Sequence, residues 1–313
     1  MKKPYISAVI GAYTLDRMRD IDDLLNGFKK QEYKNYEIVF ISDCNSELLV
    51  EVKKLAKKLR INNIRFFLNK KKGLSNVKNL GIQKAKGEIV AFIDDDAVPF
   101  PKWTKAIKEG FQKSADVGAV TGTLLPEWIE GEKKWFPEEL YWMIGCSYSL
   151  HPKKKCFVRN GFGGNLAFNK KVFKKIGLFN PELGYDLGSN KKIQVDGEEA
   201  DICIKLHNVA KKRVFFNPTM KIYHKVYLSR LKLKTLLRRA YGQGYSKAII
   251  KRTNTNENLS TENSYIKHLV TKFYPKTVLM LFYRPIRALR RLVVVSLVTG
   301  TIMAGYFVSS LRK

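Results

Sequence analysis

The feature that most constrains the fold is a set of unbroken apolar runs separated by amphipathic segments of helical spacing. Ile6–Tyr13, Glu37–Ser42, Ile64–Leu68, Ile89–Ile93 and Val117–Gly122 read as strands that do not alternate between apolar and polar residues. Between them, Met18–Lys30, Leu48–Leu59, Leu74–Lys84 and Trp103–Lys113 repeat apolar residues every three or four positions. Strands without alternation must be covered on both faces, and ten-residue helices between them make parallel crossovers. The expectation is an α/β fold, Rossmann-like, with a mostly parallel central sheet flanked by helices.

Further along, Pro126–Pro152 is aromatic-rich and reads as an insertion or loop region. Phe162–Phe168 then reads as strand, Lys170–Ile176 and Glu198–Val209 as helices, and Val214–Phe216 and Lys221–Tyr223 as two short strands. Thr253–Asn263 is nearly all polar and reads as an exposed loop. The expected organisation is a catalytic domain over 1–226, divided near residue 122, a basic region over 227–276, and a hydrophobic tail over 277–313.

Composition excludes whole-chain disorder, since 45% of the 313 residues are hydrophobic. The four cysteines form no Cys-x-x-Cys pair, which argues against a zinc knuckle and a dense disulfide framework. Charge points to a partner. The chain carries a formal +30, of which +21 lies from Lys205 onward, where 23 Lys/Arg meet two Glu. Anionic lipid and nucleic acid are the two candidates, and a lysine-rich thermophile surface is the plain alternative. Leu292–Val308 is uncharged for seventeen residues and bounded by Arg290, Arg291 and Arg312. It is just long enough for a membrane helix, although a buried soluble helix has the same composition. The lipid reading places the protein at the cell membrane with its catalytic domain on the cytoplasmic side, because Lys/Arg-rich flanks stay cytoplasmic. The start of the chain runs straight into a strand and shows no cleavable leader pattern.

Four constellations carry chemistry. Asp94-Asp95-Asp96 follows an apolar strand, where ligands of parallel sheets collect. Crowded carboxylates suit a divalent cation with oxygen preference, and a helix cap is the alternative. Lys72–Gly81 opens a helix with Lys72 and Lys78 placed to hold phosphate, or is an ordinary helix start. Asp196, Glu198, Glu199 and Asp201 crowd a second helix start. They offer either a general base or favourable charges at the helix dipole. His224 ends a strand and becomes a metal ligand only if acids lie near it.

The order of these elements resembles the family 2 glycosyltransferases of the GT-A fold. Ile10–Tyr13, Phe40–Asp43, Gly73–Gly81, Gly87–Val90, Asp94–Asp96, Gly163–Asn165, Gly197–Glu199 and Tyr223-His224 match its motifs in sequence. Departures are Gly11 for the usual Pro, Thr14 for Asn, and Glu where Asp is commoner at the base position. The resemblance implies a metal-dependent, inverting transfer from a nucleotide sugar, with Mg²⁺ or Mn²⁺ as cofactor. It implies that Ala12, Tyr13, Asp43, Lys78, Asp94 and Asp95 bind the donor, with Tyr13 and Asp43 at the base, most often uracil. Asp94, Asp96 and His224 would hold the metal. Glu199 falls at the base position with Glu198 beside it, and the choice between them stays open. Arg238–Lys247 and the apolar tail resemble archaeal enzymes that extend dolichyl-phosphate-linked sugars, which implies a lipid-linked saccharide acceptor and a membrane. Surface-polysaccharide or glycolipid synthesis is the alternative within the class. Nucleic-acid binding is the alternative outside it, and it does not account for acids gathered at strand ends and helix starts.

Overall fold

The computed structural model describes residues 3–184, 195–253 and 260–311. Four strands form the parallel half of the sheet: β1 (Ile6–Ala12), β2 (Tyr36–Asp43), β3 (Ile64–Asn69) and β4 (Ile89–Asp94). They lie in the order β3-β2-β1-β4, joined through α1 (Met18–Lys29), α2 (Ser46–Lys58) and α3 (Leu74–Lys84). Ile89–Ile93 are all buried, so the strand is covered on both faces, as its apolar run requires. α3 lies close on β1. A Cβ on Gly81 would collide with the Val9 side chain, and one on Gly11 would lie 2.5 Å from Val77 Cγ1. The glycine in the helix interior therefore has a packing reason.

Beyond β4 the sheet turns mixed. β5 (Ala97–Pro99), α4 (Trp103–Phe111) and β6 (Val117–Trp128) come next in the chain. β7 (Cys156–Val158), β8 (Asn165–Asn169), α5 (Phe173–Ile176), α6 (Glu198–Asn208) and β9 (Arg213–Val226) complete the first part. The full order is β3-β2-β1-β4-β8-β6-β9-β5, with β7 on β9. This is an α/β, GT-A-like architecture with a mixed, mostly parallel sheet. The two short strands expected after residue 213 are one fourteen-residue strand, because Asn217-Pro218-Thr219 continues the extended backbone between them. β5, only three residues long and ending in a proline, exists through pairing with β9.

The described residues divide into two compact units. The first comprises residues 3–126, 152–184 and 197–225, and contains nearly all of the sheet. The second gathers residues 127–151, 195–196, 226–253 and 260–311. Its helices are α7 (Leu233–Thr253), α8 (Ser260–His268), α9 (Tyr274–Leu279) and α10 (Pro285–Leu311). The aromatic-rich segment contributes a 3₁₀ helix, Glu138–Ile144, to this second core. There Phe136, Leu140 and Met143 pack with Leu236, Ala240, Val295 and Val298. Of the polar stretch expected as a loop, 254–259 lies outside the described residues, and α8 begins at Ser260. α10 spans 27 residues, and an 18-residue stretch within it has a mean hydropathy of 1.9, long and apolar enough to cross a membrane.

Candidate active site

The end of β4 turns sharply at Asp95-Asp96 into β5. Because Ala97 pairs with His224 and Lys225 N donates to Asp96 O (2.9 Å), that turn is held beside the end of β9. His224 Nε2 consequently lies 3.3 Å from Asp96 Oδ1 and 3.7 Å from Asp94 Oδ2. One donor atom from each of Asp94, Asp96 and His224 falls within 4.8 Å of the others. Two carboxylate oxygens and an imidazole nitrogen make a donor set suited to Mn²⁺ or Mg²⁺.

The rest of the turn fits a cation as well. Asp95 Oδ2 is buried without a hydrogen-bond partner. Burial, then the charge of Asp96, pushes the Asp95 carboxyl well above the usual range, with Arg17 acting in the opposite sense. Arg17 Nη1 sits 3.3 Å from Asp96 Oδ2 and 2.8 Å from Asp20 Oδ2. Asp20 and Asp23 in turn receive Lys225 Nζ. Against the cost of its burial, Asp96, Asp95 and Asp20 hold the Arg17 guanidinium firmly charged. Sequence reasoning did not find Arg17, Asp20 or Lys225. The available signal was the adjacency of Lys225 to His224 and of Arg17 to the end of the first strand.

A second cluster adjoins the first through two glycines. Ile93 pairs with Asn165 across β4 and β8, which lays Gly164 against Asp94. A Cβ on Gly164 would come 2.7 Å from Asp94 Cγ, and one on Gly163 would come 2.5 Å from Glu199 Cδ. Only glycines let both carboxyl groups approach the same loop. Asn165 anchors it, accepting from Trp103 Nε1 (2.8 Å) and donating to Met220 O (2.8 Å).

α6 opens at Gly197, whose φ of 110° suits glycine. Its first two residues meet Lys78 from α3: Nζ is 2.9 Å from Glu198 Oε1 and 2.5 Å from Glu199 Oε1. The Glu198 side chain is 3% exposed and that of Glu199 20%, so only Glu199 reaches the open face. The pair is driven apart electrostatically. Burial opposes ionisation of Glu198, but the Lys78 ammonium outweighs it and holds that carboxyl below the ordinary range. Burial and the Glu198 charge together push Glu199 up to about 8, despite Lys78. Two carboxyl groups of divergent pKa are the mark of an acid–base site.

The remaining expected residues are placed as follows. Lys78 is buried on the glutamates, whereas Lys72 is exposed. Ala12 and Tyr13 end β1 at the same edge of the sheet as Asp94, to which Gly11 is paired. Asp43 accepts from Asn69 Nδ2 (2.7 Å) and Gly73 N (3.0 Å), and so ties down the loop that begins α3. Asp201 pairs with Lys205 (2.6 Å), and Asp196 accepts from Gln243 within the second unit (3.1 Å). Neither joins the Lys78 cluster.

Comparisons with known proteins bear on the family and the fold. The sequence pattern of the family described as Glycosyl transferase family 2 matches residues 8–177. The chain is 28% identical, over 96% of its length and 95% of the relative's, to a glucosyl-dolichyl phosphate glucuronosyltransferase of Haloferax volcanii. It is 26% identical, over 70% of its length and 64% of the relative's, to a GalNAc(5)-diNAcBac-PP-undecaprenol beta-1,3-glucosyltransferase of Campylobacter jejuni. Among solved structures, a mannosyltransferase from Pyrobaculum calidifontis in complex with GDP-Man and Mn²⁺ superimposes with a TM-score of 0.62. That match has 16% identity and covers 100% of this chain and 89% of the other.

Proposed function

The chain belongs to glycosyl transferase family 2, and we propose that it moves one sugar, with inversion, from a nucleotide sugar to a lipid-linked saccharide at a membrane. The observation that carries this reading is the Gly163-Gly164 loop, which puts the partly exposed Glu199 carboxyl and the Asp94–Asp96–His224 set on adjacent residues. Residues 1–122 would carry the nucleotide, with Ala12, Tyr13 and Asp43 around the base, and residues 123–226 the acceptor. A divalent cation held by Asp94, Asp96 and His224 would offset charge on the departing diphosphate. Arg17 orients Asp96 from 3.3 Å, and Lys78 holds the Glu198 carboxyl below its ordinary range beside Glu199.

In the transfer, Glu199 takes the proton of an acceptor hydroxyl as the oxygen forms its bond to the anomeric carbon. The bond from that carbon to the diphosphate oxygen breaks, and the nucleoside diphosphate leaves with the electron pair. The acceptor reading rests on the Haloferax volcanii relative, whose name places its substrate on dolichyl phosphate, and on the apolar, basic C-terminal unit.

The test is incubation of the full-length protein with membranes, Mn²⁺ and a panel of radiolabelled nucleotide sugars. Label entering the lipid extract with one donor, abolished by EDTA and restored by Mn²⁺, supports the reading. Released nucleoside diphosphate without lipid label would remove the lipid-linked acceptor, and full turnover in EDTA would remove the metal.

A further inference from the structure

We infer that the C-terminal unit lies on an anionic bilayer surface, with α10 along the interface rather than across the membrane. This rests on the membrane reading above but is independent of the sugar chemistry. The reason is what accompanies α10. A Cβ on Gly244 of α7 would lie 2.8 Å from Tyr306 N, and one on Gly305 would lie 3.1 Å from Tyr241 Cα. The two backbones touch at Gly244, against Ile302 and Tyr306, and at Gly305, against Tyr241. Eight residues further along α7, Arg252 Nη2 donates to Ser309 Oγ at 3.4 Å. Toward the other end, Leu236 and Ala240 share a core with Val294, Val295 and Val298. The helices therefore run side by side in the same direction along most of the apolar segment.

α7 cannot follow α10 into hydrocarbon. It carries Arg238, Arg239, Lys247, Lys251 and Arg252 along its length, and charged side chains at bilayer depth are costly and rare. The other face of α10 tells the same story. Leu289, Val293, Leu297, Met303, Phe307 and Leu311 are exposed at near-helical spacing, a single apolar stripe opposite the protein-covered one. Phe282, in the turn before α10, is 86% exposed. The polar face that an in-plane element needs is supplied here by α7, which packs on Val294, Val295 and Val298 of α10 and carries Arg238, Arg239, Lys247, Lys251 and Arg252.

Charge selects the occupant of this face. From Lys267 to the end of the sequence there are nine Lys/Arg and no Asp/Glu, with Lys272, Lys276, Arg284 and Arg290 exposed. Such a surface attracts anionic headgroups, whereas two copies meeting through it would set like charges against each other.

The experiment uses the full-length protein with an epitope after Lys313, in inside-out vesicles from expressing cells. Added protease should remove the epitope without detergent, because both faces of the unit stay on the cytoplasmic side. An epitope protected until detergent is added means that α10 crosses, and overturns this inference alone. In flotation assays, phosphatidylglycerol vesicles should capture the protein about tenfold better than phosphatidylcholine vesicles, and high salt should reduce the difference. The pair Phe282→Glu and Phe307→Glu should lower capture by about tenfold with an unchanged thermal melt. Should that variant melt early, the lipid and salt dependence of the parent protein decides. Absence of flotation with either lipid overturns both this inference and the membrane reading. If the charged pair breaks a dimer in sedimentation while flotation persists, the stripe belongs to a second copy and the inference fails.

Discussion

Glu198 and Glu199 are neighbours in sequence with opposite electrostatic surroundings. Removing basicity at the exposed member, Glu199→Gln, should cut turnover by about 10²–10⁴ with donor binding little changed. Glu198→Gln should do less. A base must be ionised to act, and the Glu199 carboxyl is raised to about 8 by burial and by Glu198. Therefore kcat/KM should rise with pH up to roughly that value and level off above it, which a pH–rate profile checks. Lys78→Met removes the ammonium that favours ionisation, so the rising limb should move to higher pH. It should also cost about 3–5 kcal/mol, because the buried Glu198 carboxylate loses its partner. Gly163→Ala drives a methyl into the Glu199 carboxyl group, and should lower kcat while leaving the far-ultraviolet circular dichroism unchanged. At this scale the sequence marked the acids and the histidine by type and position. It could not separate Glu198 from Glu199, because adjacency on a helix does not say which carboxyl is covered and which stays partly exposed once both meet Lys78, on a segment far away in the chain.

The α3–β1 contact links an element to the site, since α3 carries Lys78. Gly81→Ala puts its Cβ onto Val9 in a covered layer, and overpacking of that kind should cost about 1–3 kcal/mol. Shortening the neighbour as well, in a Val9→Ala, Gly81→Ala double variant, should return part of that loss in a thermal-melt cycle. α1–α4 were legible from their helical periodicity, and the first four strands from unbroken apolar runs between those helices. β5 was not, since three residues containing a proline have no period. It forms only because β9 offers a partner edge, and that pairing is what carries His224 to Asp96.

Across the molecule, truncation after Lys276 should have unequal effects. It removes Val294, Val295 and Val298 from the core containing Phe136, Leu140 and Met143. Hydrogen exchange over residues 127–151 should therefore accelerate, while β1–β4 stay protected. Equal acceleration throughout would mean that the two cores do not unfold separately. By itself the sequence determined the parallel α/β half, the positions of the acids at its strand ends, and the concentration of positive charge beside an apolar tail. Those properties are local: periodicity, burial on two faces and charge are written in neighbouring residues. The family resemblance already implied that His224 joins Asp94 and Asp96; only tertiary structure decided how β5 brings them together, that Lys78 divides two glutamates, and that residues 127–151 pack with the tail helices. It also decided that α7 accompanies α10. Each of these depends on strand pairing or backbone approach between segments far apart in the chain, where short-range pattern holds no information about distance.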